Sequence, residues 1–146
     1  MDKGFSVFIA ALAILLGCSV KPADKKDSPK GSLAPCPGAP NCVSTQSGDS
    51  RHAMPPLPFI GTKDQCKNRI IDILKNMKRS KIIEISDSYI HAQFRTRFLR
   101  FVDDVEFLFD DAAHIIHFRS ASRAGYYDFG VNRRRMSEIS KLYSEK

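Results

Sequence analysis

The distribution of proline divides this chain into two parts. All eight prolines lie between Pro22 and Pro58, and none follows. Because proline removes a backbone donor and interrupts helices and central strands, the first part is predicted to be largely irregular. Residues 35–61 keep the prolines but add Cys36, Cys42 and several apolar residues, which predicts an irregular arm laid over the domain. We predict a single domain over 35–146, which consists of this arm and the residues that follow it.

The N-terminus resembles an export signal. Residues 5–17 (FSVFIAALAILLG) form an apolar run that is shorter than the roughly 20 residues needed to span a bilayer. The run ends in Leu15-Leu16-Gly17-Cys18, which resembles the bacterial lipobox. The resemblance implies that a signal peptide, 1–17, is removed and that Cys18 is lipidated. The alternatives are an ordinary signal peptide and an N-terminal anchor.

Residues 18–34 are polar and charged, which predicts a flexible tether between the membrane and the domain. Ser19 follows the lipidated cysteine, so by analogy with enterobacterial sorting we expect the outer membrane, with the domain facing the periplasm. The net charge is +7, and removal of the signal peptide leaves it unchanged because one acid and one base are lost. In an exported protein this charge favours anionic lipid headgroups, polysaccharide or peptidoglycan as partners, not nucleic acid.

Hydrophobic periodicity predicts an α+β domain. Thr62 and Gln65 fit a capping box, and apolar residues at helical spacing predict a helix over 63–79. The period then changes to two, which predicts about four antiparallel strands near 81–85, 89–98, 101–109 and 114–120. Helical spacing returns over 132–144. We therefore expect a small antiparallel sheet packed by an N-terminal and a C-terminal helix.

Three segments taken together resemble one bacterial family. They are Pro40-Asn41-Cys42-Val43-Ser44, then 100–107 (RFVDDVEF), then 119–133 (RSASRAGYYDFGVNR). In this order they are similar to the domain-of-unknown-function 1499 family, and the similarity covers about residues 35–145. Asp128 and Asn132 fit the family pattern, and Thr45 stands where a second serine is expected. The resemblance implies no assigned activity.

Neither the cysteines nor the histidines indicate a catalytic or metal site. With Cys18 lipidated, an oxidising compartment favours a Cys36–Cys42 disulfide, with Cys42–Cys66 as the alternative. On a strand, His114 and His117 would face opposite sides and could not share a metal ion. Ser120 and Ser122 lack the sequence context of an activated nucleophile. We therefore expect no metal, no cofactor and no catalytic residue.

The carboxylates predict an internal network. Asp103 alternates onto the core face with Val105, whereas Asp104 and Glu106 point to the other face. Because a buried carboxylate needs a partner, we expect ion pairs that fix the strand register. The basic residues considered as partners are Arg95, Arg97, Arg100, Arg119 and Arg123, and Asp128 is a further acidic member of the network.

The segment 119–135 is the candidate ligand site. Arg133, Arg134 and Arg135 fall in the first turn of the last predicted helix, where positive charge opposes the helix dipole. Free backbone N–H groups at this end favour an anion, which is either Asp128, the acidic cluster or an external ligand. The hypothesis is that an anion is bound by these residues: Arg119, Ser120, Ser122, Arg123, Asn132 and Arg133.

Three functions are compatible with these features. The first is a non-catalytic binding or scaffolding lipoprotein that recognises an anionic ligand or an envelope partner. The second is a cell-envelope hydrolase acting on a phosphorylated or acidic substrate, which would need an exposed acid or base such as Asp103, Asp104 or His117 beside the arginine loop. The third is a purely structural envelope lipoprotein.

Overall fold

The computed structural model describes residues 31–97 and 100–145. The predicted signal peptide over 1–17, the predicted lipidation site Cys18 and residues 18–30 of the predicted tether lie outside the described residues, as does Phe98. Within the described ranges, no helix has the length and apolar character required to cross a bilayer.

Over residues 31–97 and 100–145, the domain consists of two helices and a six-stranded antiparallel sheet. In chain order the elements are β1 (Cys42–Ser44), β2 (Leu57–Pro58), α1 (Lys63–Asn76), β3 (Ser80–Ile85), β4 (Tyr89–Arg95), β5 (Val102–Asp110), β6 (Ile115–Ser122) and α2 (Val131–Ser144). The sheet order is β1-β6-β5-β4-β3, and β2 also pairs with β6. The α+β class is confirmed.

The number of strands is a correction to the sequence analysis, which predicted about four. The two additional strands, β1 and β2, both lie in the Pro-rich segment and pair with the outer edge of β6. Their lengths of three and two residues are too short to produce an alternating pattern in the sequence. Pro58 lies at the edge of the sheet, where a missing donor is tolerated.

Helix α1 begins with the predicted capping box. The Thr62 side chain accepts from the Gln65 N–H, and the Gln65 side chain accepts from the Thr62 N–H. The helix ends at Asn76, earlier than predicted, because Met77 is extended and Arg79 adopts a left-handed φ of 62°. Lys78 and Arg79 therefore lie beyond the last turn.

One hydrophobic core lies between the sheet and the two helices. Its largest fully buried side chains include Phe107 and Phe118 from the sheet and Ile70 and Tyr143 from the helices. All of its buried apolar side chains come from residues 43–143, so the core is contained within the domain. A disulfide joins Cys36 to Cys42, which is the pairing favoured by the sequence, and Cys66 is a buried free thiol.

Candidate functional site

Asp103 and Arg135 form a buried ion pair between the sheet and α2. Asp103 is on the core face of β5 and is 1% exposed. Its Oδ2 lies 2.6 Å from Arg135 Nη2, and the Arg135 guanidinium stacks 4.6 Å above the Phe94 ring. This pairing corrects the set of partners considered from sequence, which did not contain Arg135.

Asn132 links the sheet, the arm and the loop before α2. Its side-chain oxygen accepts from the Ser120 hydroxyl and from Arg135 Nη1 at 2.8 Å. The two N–H groups of its amide are shared among three acceptors, the Asn41 carbonyl, the Ser122 hydroxyl and the Asp128 carboxylate. Because Asn132 is fully buried, every one of these bonds replaces a lost contact with water.

Asp128 supplies the negative charge at the start of α2. The helix begins after Gly130, which has no side chain to cap it. The Asp128 carboxylate accepts instead from the N–H groups of Gly130 and Asn132, both at 2.9 Å. An internal carboxylate therefore occupies the place at which the sequence analysis considered an external anion.

Two further carboxylates of β5, Asp104 and Glu106, are paired on the opposite face of the sheet. Asp104 accepts two bonds from Arg123, at 2.6 and 2.8 Å, and one from His91 at 2.7 Å. Burial alone would raise the pKa of the Asp104 carboxyl, but these bonds outweigh it and lower the pKa to about 2. Glu106 accepts from Arg119 at 3.0 Å and from the Tyr89 hydroxyl at 2.6 Å. Burial and this hydrogen bond raise the pKa of Tyr89.

We expect Asp104 to contribute to acid denaturation. Its pKa is about 2 in the folded protein against 3.8 ordinarily, so its contribution is present above pH 4 and is lost as the pH falls through 2. An Arg123→Met variant should lose about 1–2 kcal/mol of unfolding free energy at pH 7 and little at pH 2. Urea unfolding across this range measures the difference, with Lys75→Met as an exposed control. An equal loss at both pH values would contradict the assignment.

The residues of the predicted anion site do not converge on one pocket. Successive residues of β6 face opposite sides, so Arg119 and Arg123 lie with Glu106 and Asp104, whereas Ser120 and Ser122 lie with Asn132. Arg133 lies apart from both groups and donates to the backbone carbonyls of Arg51 and Ala53. Anion binding by this set stays a prediction, and each of its three arginines is engaged with an internal acceptor.

The histidines are separated from one another. His117 Nδ1 lies 3.1 Å from Thr45 Oγ1, and His52 Nδ1 lies 2.8 Å from the Cys42 carbonyl oxygen. His114 is in the turn before β6, with a φ of 52°, and not on a strand as predicted. Among residues 31–97 and 100–145, no three His, Cys, Asp or Glu side chains are placed to hold a metal ion.

A groove of about 840 Å³ lies where the end of α1, the end of β4 and α2 meet, and we call it the basic groove. Its apolar lining comes from Ile73, Met77, Phe94, Val131 and Leu142. Five exposed cationic side chains also line it, Lys78, Arg79, Arg95, Arg97 and Arg134, and its acidic residue is Glu138. The Arg95 N–H donates to the Arg79 carbonyl at 3.1 Å, which places the backbones of these two residues side by side.

Three cations of the basic groove differ in their surroundings from the arginines of the ion-pair network. Arg119, Arg123 and Arg135 are paired with carboxylates. Within the part of the chain that the structure describes, Lys78, Arg79 and Arg95 form no ion pair. The groove therefore combines apolar surface with uncompensated positive charge. Sequence analysis missed it because its lining comes from three segments that are distant in the chain.

The comparison with known families agrees with the segments noted in the sequence. The sequence model of the family described as "Protein of unknown function (DUF1499)" matches residues 32–142. The match includes the arm, α1, the whole sheet and all of α2 except its last two residues. No curated protein matches the chain. The chain therefore belongs to the DUF1499 family.

Proposed function

We propose that this protein is a lipid-anchored, non-catalytic binding module of the cell envelope that holds an anionic amphiphile in the basic groove. The lipobox-like sequence ending at Cys18 supports membrane anchoring, and Ser19 supports the outer membrane as its destination. A disulfide between Cys36 and Cys42 is compatible with an oxidising compartment such as the periplasm.

The observation that carries the binding proposal is the unpaired charge beside apolar surface in the basic groove. Lys78, Arg79 and Arg95 are exposed, and the groove places them near Phe94 and Met77. Neighbouring cations without a carboxylate partner create a positive potential that attracts an anion, and apolar side chains favour a hydrocarbon chain beside it. The ligand class that fits both is a phosphate or carboxylate headgroup attached to a short apolar chain.

A hydrolase receives less support from the geometry. Asp103 is buried against Arg135, and Asp104 is held between Arg123 and His91. A general acid or base must reach the substrate, and its pKa should lie near the working pH, whereas the pKa of Asp104 is lowered to about 2. The internal pairing of the motif residues favours a structural role for them, while Lys78, Arg79 and Arg95 have no such ion-pair partner among the described residues.

Hexyl phosphate is a suitable probe because it has one anionic headgroup and one apolar chain. We expect residues 19–146 to bind it in a calorimetric titration, and a Lys78→Gln/Arg95→Gln variant to bind at least about tenfold more weakly. Lys75→Gln removes a positive charge from the last turn of α1, outside the groove, so this variant should bind like the unmodified protein. Equal affinities for all three proteins, or no binding by any, would contradict the proposal.

A further inference from the structure

The loop that precedes α2 exposes three aromatic side chains. Residues 125–130, which we call the aromatic loop, carry Tyr126, Tyr127 and Phe129, which are 74%, 58% and 77% exposed. The Tyr127 and Phe129 rings pack edge to face at a centroid distance of 5.1 Å. Contiguous exposed aromatic surface of this kind is typical of an interaction site, since single exposed apolar residues are common but clusters are not.

The backbone holds these aromatic rings away from the core. Phe129 has a φ of 55°, a conformation that is unfavourable for a bulky residue. The structure maintains it by a hydrogen bond from Arg134 Nη1 to the Phe129 carbonyl at 2.6 Å and by the Asp128 carboxylate on the Gly130 N–H. Phe129 is therefore held in an unfavourable backbone conformation while its side chain stays largely exposed, which points to a role outside the domain.

The aromatic loop is continuous with the basic groove. Arg134 bonds the loop at Phe129 and also lines the groove, and Val131, which follows the loop directly, lines it as well. Aromatic rings and cations therefore share one surface. Aromatic side chains settle at the headgroup level of a bilayer, and Lys and Arg side chains are attracted by anionic lipids.

The chain length outside the domain also limits where this surface can lie. Twelve residues separate Cys18 from Gly31. Even when fully extended they span only about 45 Å, so a chain anchored at Cys18 keeps the domain close to the bilayer. Under such a tether, a weak second contact with lipid becomes effective because its local concentration is high.

We propose that the aromatic loop inserts into the headgroup region of an anionic bilayer and turns the basic groove toward the membrane. The inference rests on the proposed envelope location and names the ligand class of the basic groove as anionic phospholipid. Charge complementarity and the short tether favour a bilayer over a protein partner or a second copy of this chain.

Vesicle co-sedimentation of residues 19–146 without the lipid tests the proposal. These residues contain the whole core, from Val43 to Tyr143. We expect binding to phosphatidylethanolamine vesicles that contain phosphatidylglycerol and much weaker binding to phosphatidylcholine vesicles. A variant with serine at Tyr126, Tyr127 and Phe129 should bind at least about tenfold more weakly. The control places serine at Ile83 and Ile85, which are exposed on β3 at the far edge of the sheet, and should bind normally.

A tryptophan reporter keeps the test independent of the folding of the triple variant. The chain has no tryptophan, so Phe129→Trp introduces a single tryptophan into the aromatic loop. On anionic vesicles its emission should shift to shorter wavelength and be quenched by brominated lipid, whereas the emission of an Ile85→Trp control should not change.

The remaining outcomes overturn the proposal. These are no vesicle binding, equal binding by the triple variant, equal losses in the triple variant and its control, or loop-dependent self-association in sedimentation velocity. The hexyl phosphate titration separates the two hypotheses. Vesicle binding that depends on the loop, without binding of hexyl phosphate, would support insertion of the aromatic loop and contradict ligand binding in the basic groove. Binding of hexyl phosphate without vesicle binding would support the basic groove and contradict insertion of the loop.

Discussion

A variant in which methionine replaces Arg135 is expected to lose about 3–5 kcal/mol of unfolding free energy. The substitution removes the cation that lies 2.6 Å from the Asp103 carboxylate, which is 1% exposed. Within the described part of the chain, Asp103 Oδ1 already has no hydrogen-bond partner, so the carboxylate would become a buried, uncompensated charge. The bonds from Arg135 to Ser120 and Asn132 would be lost as well.

Urea unfolding followed by circular dichroism measures this loss. Arg134→Met is the matched control, since it makes the same change at the neighbouring, exposed position of α2 and should cost less than about 1 kcal/mol. A double variant, Asp103→Val with Arg135→Met, removes both charges and should recover a large part of the loss. A double variant that is less stable than Arg135→Met alone would contradict this account.

The second large effect is expected at Asn132, where alanine should lower the unfolding free energy by about 3 kcal/mol or more. The substitution removes five hydrogen bonds and leaves buried partners from the arm, β6 and the loop without their donor or acceptor. Asn76→Ala is the control, because Asn76 is exposed and its side chain makes one local bond to the Asp72 carbonyl.

Hydrogen exchange gives a further test of the role of Asn132. Since Asn132 holds the Asn41 carbonyl against β6, its loss should increase amide exchange in β1 and at the start of α2. Exchange in β4 and β5, which lie further from Asn132, should change little. A uniform increase across the sheet would show that the network has no local role.

The helices and the four long strands could be predicted because each repeats its pattern several times. In β4, apolar residues alternate with polar ones over five positions, with Ile90, Ala92 and Phe94 as the apolar members. This alternation identifies the strand. β1 and β2 have no such repetition, and their place is set by pairing with β6, more than 50 residues away along the chain, as in the pairs Val43–Ser120 and Leu57–Ile116. Long-range pairing of this kind leaves no local signal.

The burial of Asn132 and Arg135 could have been predicted from their spacing in the sequence. Asn132 and Arg135 share helical spacing with Met136, Ile139 and Tyr143, all of which are buried on one face of α2. That spacing places a polar and a charged side chain against the core, where Asp103 was already expected. The basic groove had no comparable signal, because its lining depends on how α1, β4 and α2 pack together.

The two short strands of the arm determine how many edges of the sheet keep unpaired backbone N–H and C=O groups. β1 and β2 pair with opposite ends of β6, and Thr45 bonds Phe118 between them, so the outer edge of β6 is covered. The other edge, β3, is interrupted by a register shift between Ile82 and Glu84. A sheet with two open edges can polymerise by adding copies on both sides, whereas a sheet with one cannot. The arm, closed on itself by the Cys36–Cys42 disulfide, thus leaves the outer side of β6 without an open edge at which a second copy of the sheet could add.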